Sequence, residues 1–133
     1  TWGALCDRMR PATAITANLL CQSVVLAAAP WILTSTAGLQ IFSLATGFNY
    51  GGVLVVYVSS TAHRWGGQHV GRVYGWLFSA NIPASAAPIL AGFSYDLVGS
   101  FTPAVWIISG SLTAAAALAS LKAAVVNATK TEV

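Results

Sequence analysis

Charge is what this sequence has least of. Its 133 residues hold six Lys and Arg and three Asp and Glu, 7% in all, against about 25% in an ordinary soluble domain. A soluble fold could not cover its surface with so few charges. Cysteine is nearly as scarce, with Cys6 beside charged residues and Cys21 deep in an apolar stretch. They belong at different depths, which argues against a disulfide, and no metal-ligand spacing is present. No leader of Met and a basic n-region opens the chain, which starts at Thr1 and Trp2; this predicts a fragment. Segments of about 10 residues with alternating polarity are missing too, which argues against a membrane β-barrel. No nucleophile–base pair, metal set or phosphate loop is found, so no enzyme activity, cofactor or nucleic-acid partner is expected.

What is abundant is apolar sequence. Hydrophobic residues make up 56% of the chain and mean hydropathy is +0.72. The charges sit at Asp7, Arg8, Arg10, Arg64, Arg72, Asp96, Lys122, Lys130 and Glu132, and the gaps between them are uncharged. A bilayer core is crossed by about 20 helical residues. The gap from Arg10 to Arg64 fits two spans and a turn; those from Arg72 to Asp96 and from Asp96 to Lys122 fit one each. The reading is an all-α integral membrane protein with about four transmembrane helices, at 12–33, 39–60, 73–95 and 103–126. Gly3 to Pro11 reads as a short charged loop, His63 to Arg72 as a polar, Gly-rich one, and Asp96 to Thr102 as a tight turn.

Four spans put all six basic residues on one side and leave only Asp96 on the other. The positive-inside rule makes the basic side, with both termini, cytoplasmic, in the plasma (inner) membrane. Trp31, Tyr95, Phe101 and Trp106 fall at the outer ends, and Tyr57, Trp65 and Trp76 near the inner ends, as interfacial aromatics do.

The opening stretch Gly3-Ala4-Leu5-Cys6-Asp7-Arg8-Met9-Arg10-Pro11 resembles the cytoplasmic signature of the major facilitator superfamily, Gly-x-Leu-x-Asp-Arg followed by Gly and basic residues. Gly3, Leu5, Asp7 and Arg8 match; Arg10 stands where Gly is usual and Pro11 replaces a basic residue. A second stretch opens with Gly71-Arg72-Val73-Tyr74-Gly75 and closes with Pro88-Ile89-Leu90-Ala91-Gly92 and Tyr95-Asp96-Leu97-Val98-Gly99-Ser100-Phe101. It is similar to the eleventh helix and following turn of monocarboxylate and oxalate/formate-type members, with Ala87 in place of a Gly and Phe101 in place of a Tyr. The resemblance implies that the four spans correspond to helices nine to twelve of a twelve-helix transporter, the N-terminal part being absent. It also implies that the tenth and eleventh helices line a cavity for a small solute, such as a monocarboxylate, while the ninth and twelfth lie outside.

The residues supply candidates of their own. Gln40, Ser43, Thr46 and Tyr50 fall within an arc of roughly 120° on span two, extended by Tyr57. Tyr74, Asn81 and Ser85 share a face of span three. Polar side chains are costly in lipid and should face protein or a watery cavity, so Gln40, Ser43, Thr46, Tyr50, Asn81 and Ser85 are the substrate-lining candidates. Bonding to neighbouring helices is the alternative for each of them. Gly71, Gly75 and Ser79, spaced by four, suit close helix packing. Asp7 suits a helix N-terminus, or else a solvated loop. Asn18 and Gln22 on span one have only a packing explanation, and His63 and His69 read as solvated loop residues. Pro83 and Pro88 should bend span three. The rival to a transporter fragment is a self-contained small four-helix membrane protein with a structural or accessory role. A small multidrug exporter is disfavoured, because no span carries a carboxylate.

Overall fold

The computed structural model describes the backbone of residues 2–131 and the side chains of 2–122 and 124. Thr1, Glu132 and Val133, and the side chain of Lys130, lie outside the described residues. All regular structure among them is helical: α1 (Trp2–Arg8), α2 (Pro11–Ala27), α3 (Ala29–Ile32), α4 (Thr36–Trp65), α5 (Val70–Phe78), α6 (Asn81–Ala84), α7 (Ala87–Val98) and α8 (Thr102–Thr131), with a 3₁₀ turn at Gly67–His69. Three stretches are long and apolar enough to cross a membrane: Thr36–Trp65, Gly67–Val98 and Thr102–Lys122. The helix Pro11–Ala27 is apolar but shorter. These are the marks of an integral membrane protein.

Proline explains most of the breaks. Pro11 starts α2, and Arg10 before it is extended at φ −63°, ψ 142°, as a residue preceding proline prefers. The segment expected as a charged loop is therefore a short helix, α1, that turns a corner into α2. Pro30 cannot donate to the Leu26 carbonyl, and the first span divides at Ala28 into α2 and α3. Pro83 and Pro88 act alike four residues downstream of Ser79 and Ala84, and the third span divides into α5, α6 and α7. The bend expected there is thus a double interruption.

Caps fix the other ends. The Ser35 hydroxyl accepts from the Gly38 N–H at 3.1 Å and starts α4. Gly66 ends α4, so the expected loop at His63 to Arg72 shrinks to a corner and a 3₁₀ turn. Gly99 ends α7 in the left-handed region at φ +71°, where its N–H donates to the Tyr95 carbonyl at 2.7 Å. The Ser100 hydroxyl then accepts from the Thr102 N–H at 3.1 Å and opens α8.

Helix α2 is the centre of the packing, lying antiparallel against both α4 and α8. Its interfaces are made by small and amide side chains. Among the described residues, the buried apolar ones are Ala14, Ala29, Val56 and Ala116, whereas Leu44, Phe48, Ile82, Ile89, Phe93, Ile107 and Leu118 are exposed. Large apolar groups outside and small ones between helices is the arrangement lipid favours, because lipid offers no hydrophobic gain for burying Leu against Leu. The segment α5–α7 stands apart from this bundle, and every residue from Gly75 to Leu90 is exposed. Its main contacts are at its two ends, with α4 and with α8.

The aromatic residues assigned to the outer ends meet in pairs. Trp31 and Trp106 are edge-on at 5.8 Å, and Tyr95 stacks on Phe101 at 4.7 Å. The antiparallel register that sets Ser23 against Ser109 brings Lys122 level with Pro11, since both lie about the same helical rise away. Arg8, Arg10, Arg64, Arg72 and Lys122 therefore gather at one end, with Asp96 at the other.

Candidate functional site

Two groups of polar side chains emerge, one buried and one exposed. The buried group lies between α2 and α4. The Asn18 amide donates to the Asn49 carbonyl at 3.1 Å and to Asn49 Oδ1 at 3.0 Å. Asn49 Nδ2 returns bonds to the Asn18 carbonyl at 3.1 Å and to Gln22 Oε1 at 2.9 Å. Asn18 and Asn49 are fully buried, and Asn18 Oδ1 keeps no partner. One turn further along α2, Ser23 Oγ bonds the Ser109 carbonyl at 2.9 Å, Ser109 Oγ at 3.1 Å and Thr113 Oγ1 at 2.7 Å on α8. The Ser109 hydroxyl donates back to the Ser23 carbonyl at 3.0 Å. Asn18 and Asn49 sit near the middle of α2 and α4, and interhelical bonds in a bilayer are worth about 0.6 kcal/mol each on average and up to about 1.7. The two clusters join α2 to its two neighbours.

The packing explanation expected for Asn18 and Gln22 thus has a concrete partner in Asn49, a residue outside the predicted stripe. A signal for it was present: Asn49 is an amide among Gly47, Gly51 and Gly52, and Asn18 and Gln22 are spaced by four to meet one opposite residue. Ser109 and Thr113 lacked any such signal, being single hydroxyls in an Ala-rich helix.

The exposed group holds the substrate-lining candidates. Gln40, Ser43 and Tyr50 are exposed on α4, and Thr46 is half-buried with its hydroxyl oxygen covered and unpartnered. Their stripe is turned roughly 130° from the face that carries Gly38, Asn49 and Val56 into the bundle. Asn81 and Ser85 are exposed on the broken segment. Each folds back on its own chain, Asn81 Nδ2 donating to the Phe78 carbonyl at 3.1 Å and Ser85 Oγ to the Ile82 carbonyl at 2.6 Å. The two stripes do not meet across a shared cavity. Gly71, Gly75 and Ser79 are exposed as well, with open space where a Cβ on either glycine would project.

Gly3, Leu5, Asp7 and Arg8 all lie on α1. Trp2, at the start of that helix, lays its indole against Gly52 of α4, with Phe48 at 6.1 Å between ring centroids. Between the α1–α2 corner and the last turns of α4 lies an open cavity of about 450 Å³, lined by Cys6, Asp7, Arg8, Arg10, Ser59 and His63 among others. Burial first, and the Asp7 carboxylate second, push the Cys6 thiol up. Among the described residues no group of three or more His, Cys, Asp or Glu side chains is placed to hold a metal ion.

No known protein-family model matches the chain, and no curated protein or solved structure matches it either.

Proposed function

We propose that this chain is part of a secondary active transporter that moves a small solute, such as a small organic acid of the monocarboxylate type, by alternating access. One observation carries the reading: the span Gly67–Val98 is interrupted twice near its middle, at Ser79–Ala80 and Ser85–Ala86, and stays exposed there along with Asn81 and Ser85. Interrupted helices near the midplane are how many transporters offer backbone and side-chain polar groups to a solute, and polar side chains at that depth need protein or a water-filled cavity beside them. The bundle of α2, α4 and α8 supplies neither, so the broken segment awaits a partner: the N-terminal part of the same transporter. The signature-like residues Gly3, Leu5, Asp7 and Arg8 and the turn Tyr95 to Phe101 support the major facilitator resemblance. The lining residues would be Gln40, Ser43, Thr46, Tyr50, Asn81 and Ser85, with the basic end cytoplasmic.

The test uses the longer transporter. Asn81→Ala and Gln40→Ala should impair uptake affinity or turnover while folded yield stays unchanged, because both side chains are exposed in this chain. Normal uptake kinetics in both variants would overturn the site. Robust saturable uptake by the 133-residue chain alone in liposomes would overturn the dependence on a partner.

A further inference from the structure

We propose that the cavity between the α1–α2 corner and the last turns of α4 is a binding site for a phosphate-bearing anion, an anionic phospholipid headgroup or free phosphate.

Three features place it. The wall carries two guanidinium side chains, Arg8 and Arg10, an imidazole in His63 and a hydroxyl donor in Ser59. Asp7 is the one carboxylate among these lining residues. Helix α2 begins on the same wall at Pro11, with no side-chain cap, and its positive dipole end favours an anion there. The cavity is open, at about 450 Å³, which accommodates a phosphate group with room for a glycerol. It lies at the end of the bundle where Arg64, Arg72 and Lys122 also gather, the depth at which headgroups meet a membrane protein. Basic pockets between helices at that level hold anionic headgroups, and guanidinium binds phosphate oxygens in a two-pronged geometry. This site is separate from the exposed stripes of the proposed transport path and does not depend on them.

Cys6 lies on the wall and reports occupancy. The chain carrying Cys21→Ser is placed in phosphatidylcholine vesicles with or without phosphatidylglycerol, and N-ethylmaleimide alkylation of Cys6 is timed at mildly alkaline pH. A reference chain with Cys6→Ser, Cys21→Ser and Gln68→Cys reports the general effect of a negative surface, since Gln68 is exposed at the same end. Phosphatidylglycerol should slow Cys6 about fivefold more than the reference thiol, on the scale that a single arginine at an anionic surface supplies. Arg8→Gln with Arg10→Gln should abolish that excess, and the paired Lys variant should keep most of it. Inorganic phosphate that protects Cys6 in pure phosphatidylcholine vesicles would assign the site to free phosphate; protection by phosphatidylglycerol alone assigns it to lipid. Equal slowing of both thiols in the lipid arm, with no effect of inorganic phosphate, overturns the proposal without any Arg variant having to fold. Excess protection that survives the paired Gln substitution also overturns it.

Discussion

Asn49 and Asn81 carry the same side chain in opposite settings. Asn49 spends its amide on two partners across a helix interface and accepts a third bond from Asn18; Asn81 is exposed and bonded only to its own turn. Asn49→Ala should therefore cost about 1–2 kcal/mol, the sum of a few interhelical bonds in a bilayer, read as a lower melting temperature in detergent. Asn81→Ala should stay within about 0.5 kcal/mol, as exposed substitutions do. Equal losses would mean that Asn81 is covered in the folded protein. Cys6 gives a residue-level test in pH. Its pKa is raised by burial and then by Asp7, so at neutral pH less thiolate is present than for an ordinary cysteine, and thiolate is the reactive form. Alkylation should be slow at neutral pH and climb above the usual thiol range. Asp7→Asn should speed it at a fixed neutral pH, and a profile unmoved by that substitution would remove Asp7 as a cause. Of the two settings, the sequence disclosed the exposed one more readily: Gln40, Ser43 and Tyr50 form a periodic stripe, whereas Asn49 acts through partners 31 and 27 residues away, a distance that periodicity does not reach.

Elements were legible where local chemistry decides them. Gly99 and Ser100 set the last turn, and the structure places it where those residues require. Elements were less legible where a break competes with an apolar run. The division at Ala28 and the double division at Ser79 and Ser85 follow from prolines that were visible, but a kinked helix and a divided one share one sequence pattern. The α1 helix was hidden because seven residues with two charges do not form a stable helix alone; contact with α4 through Trp2 supplies the rest. Gly38 is the sharpest test at this scale. A Cβ there would collide with the Ile32 carbonyl on α3, so Gly38→Ala should push α3 off α4 and destabilise the fold by about 1–3 kcal/mol, as overpacking does. Gly47→Ala, with open space at its Cβ, should be silent, and matching melting temperatures for the two variants would discount the close approach.

At the scale of the molecule, charge and aromatic positions in the sequence anticipated which ends lie together. The structure agrees for Arg8, Arg10, Arg64, Arg72 and Lys122, and pairs Trp31 with Trp106. Helix neighbours were not legible, because the contacts of α2 with α8 rest on Ser, Thr and Ala, which leave little trace in composition. The orientation is open to a direct experiment in a background lacking Cys6 and Cys21. Single cysteines at Thr36 and Ser100 should react with an impermeant thiol reagent from outside the cell, and one at Gln68 should not. Labelling at Gln68 with none at Ser100 would invert the arrangement.

The bond between Ser23 and Ser109 spans 86 residues of chain, and this sets an order of assembly. During synthesis α2 and α4 can pair as soon as both have entered the bilayer, since the Asn18–Asn49 contact closes a much shorter stretch. Helix α8 leaves the ribosome after both, so the second face of α2 stays open until the broken segment between them has also inserted. In that interval Ser23 lacks its partners Ser109 and Thr113 on α8. Substitutions at Ser109 should then shorten the life of newly made protein more than they unsettle protein already assembled, which separates a late docking step from the stability of the finished bundle.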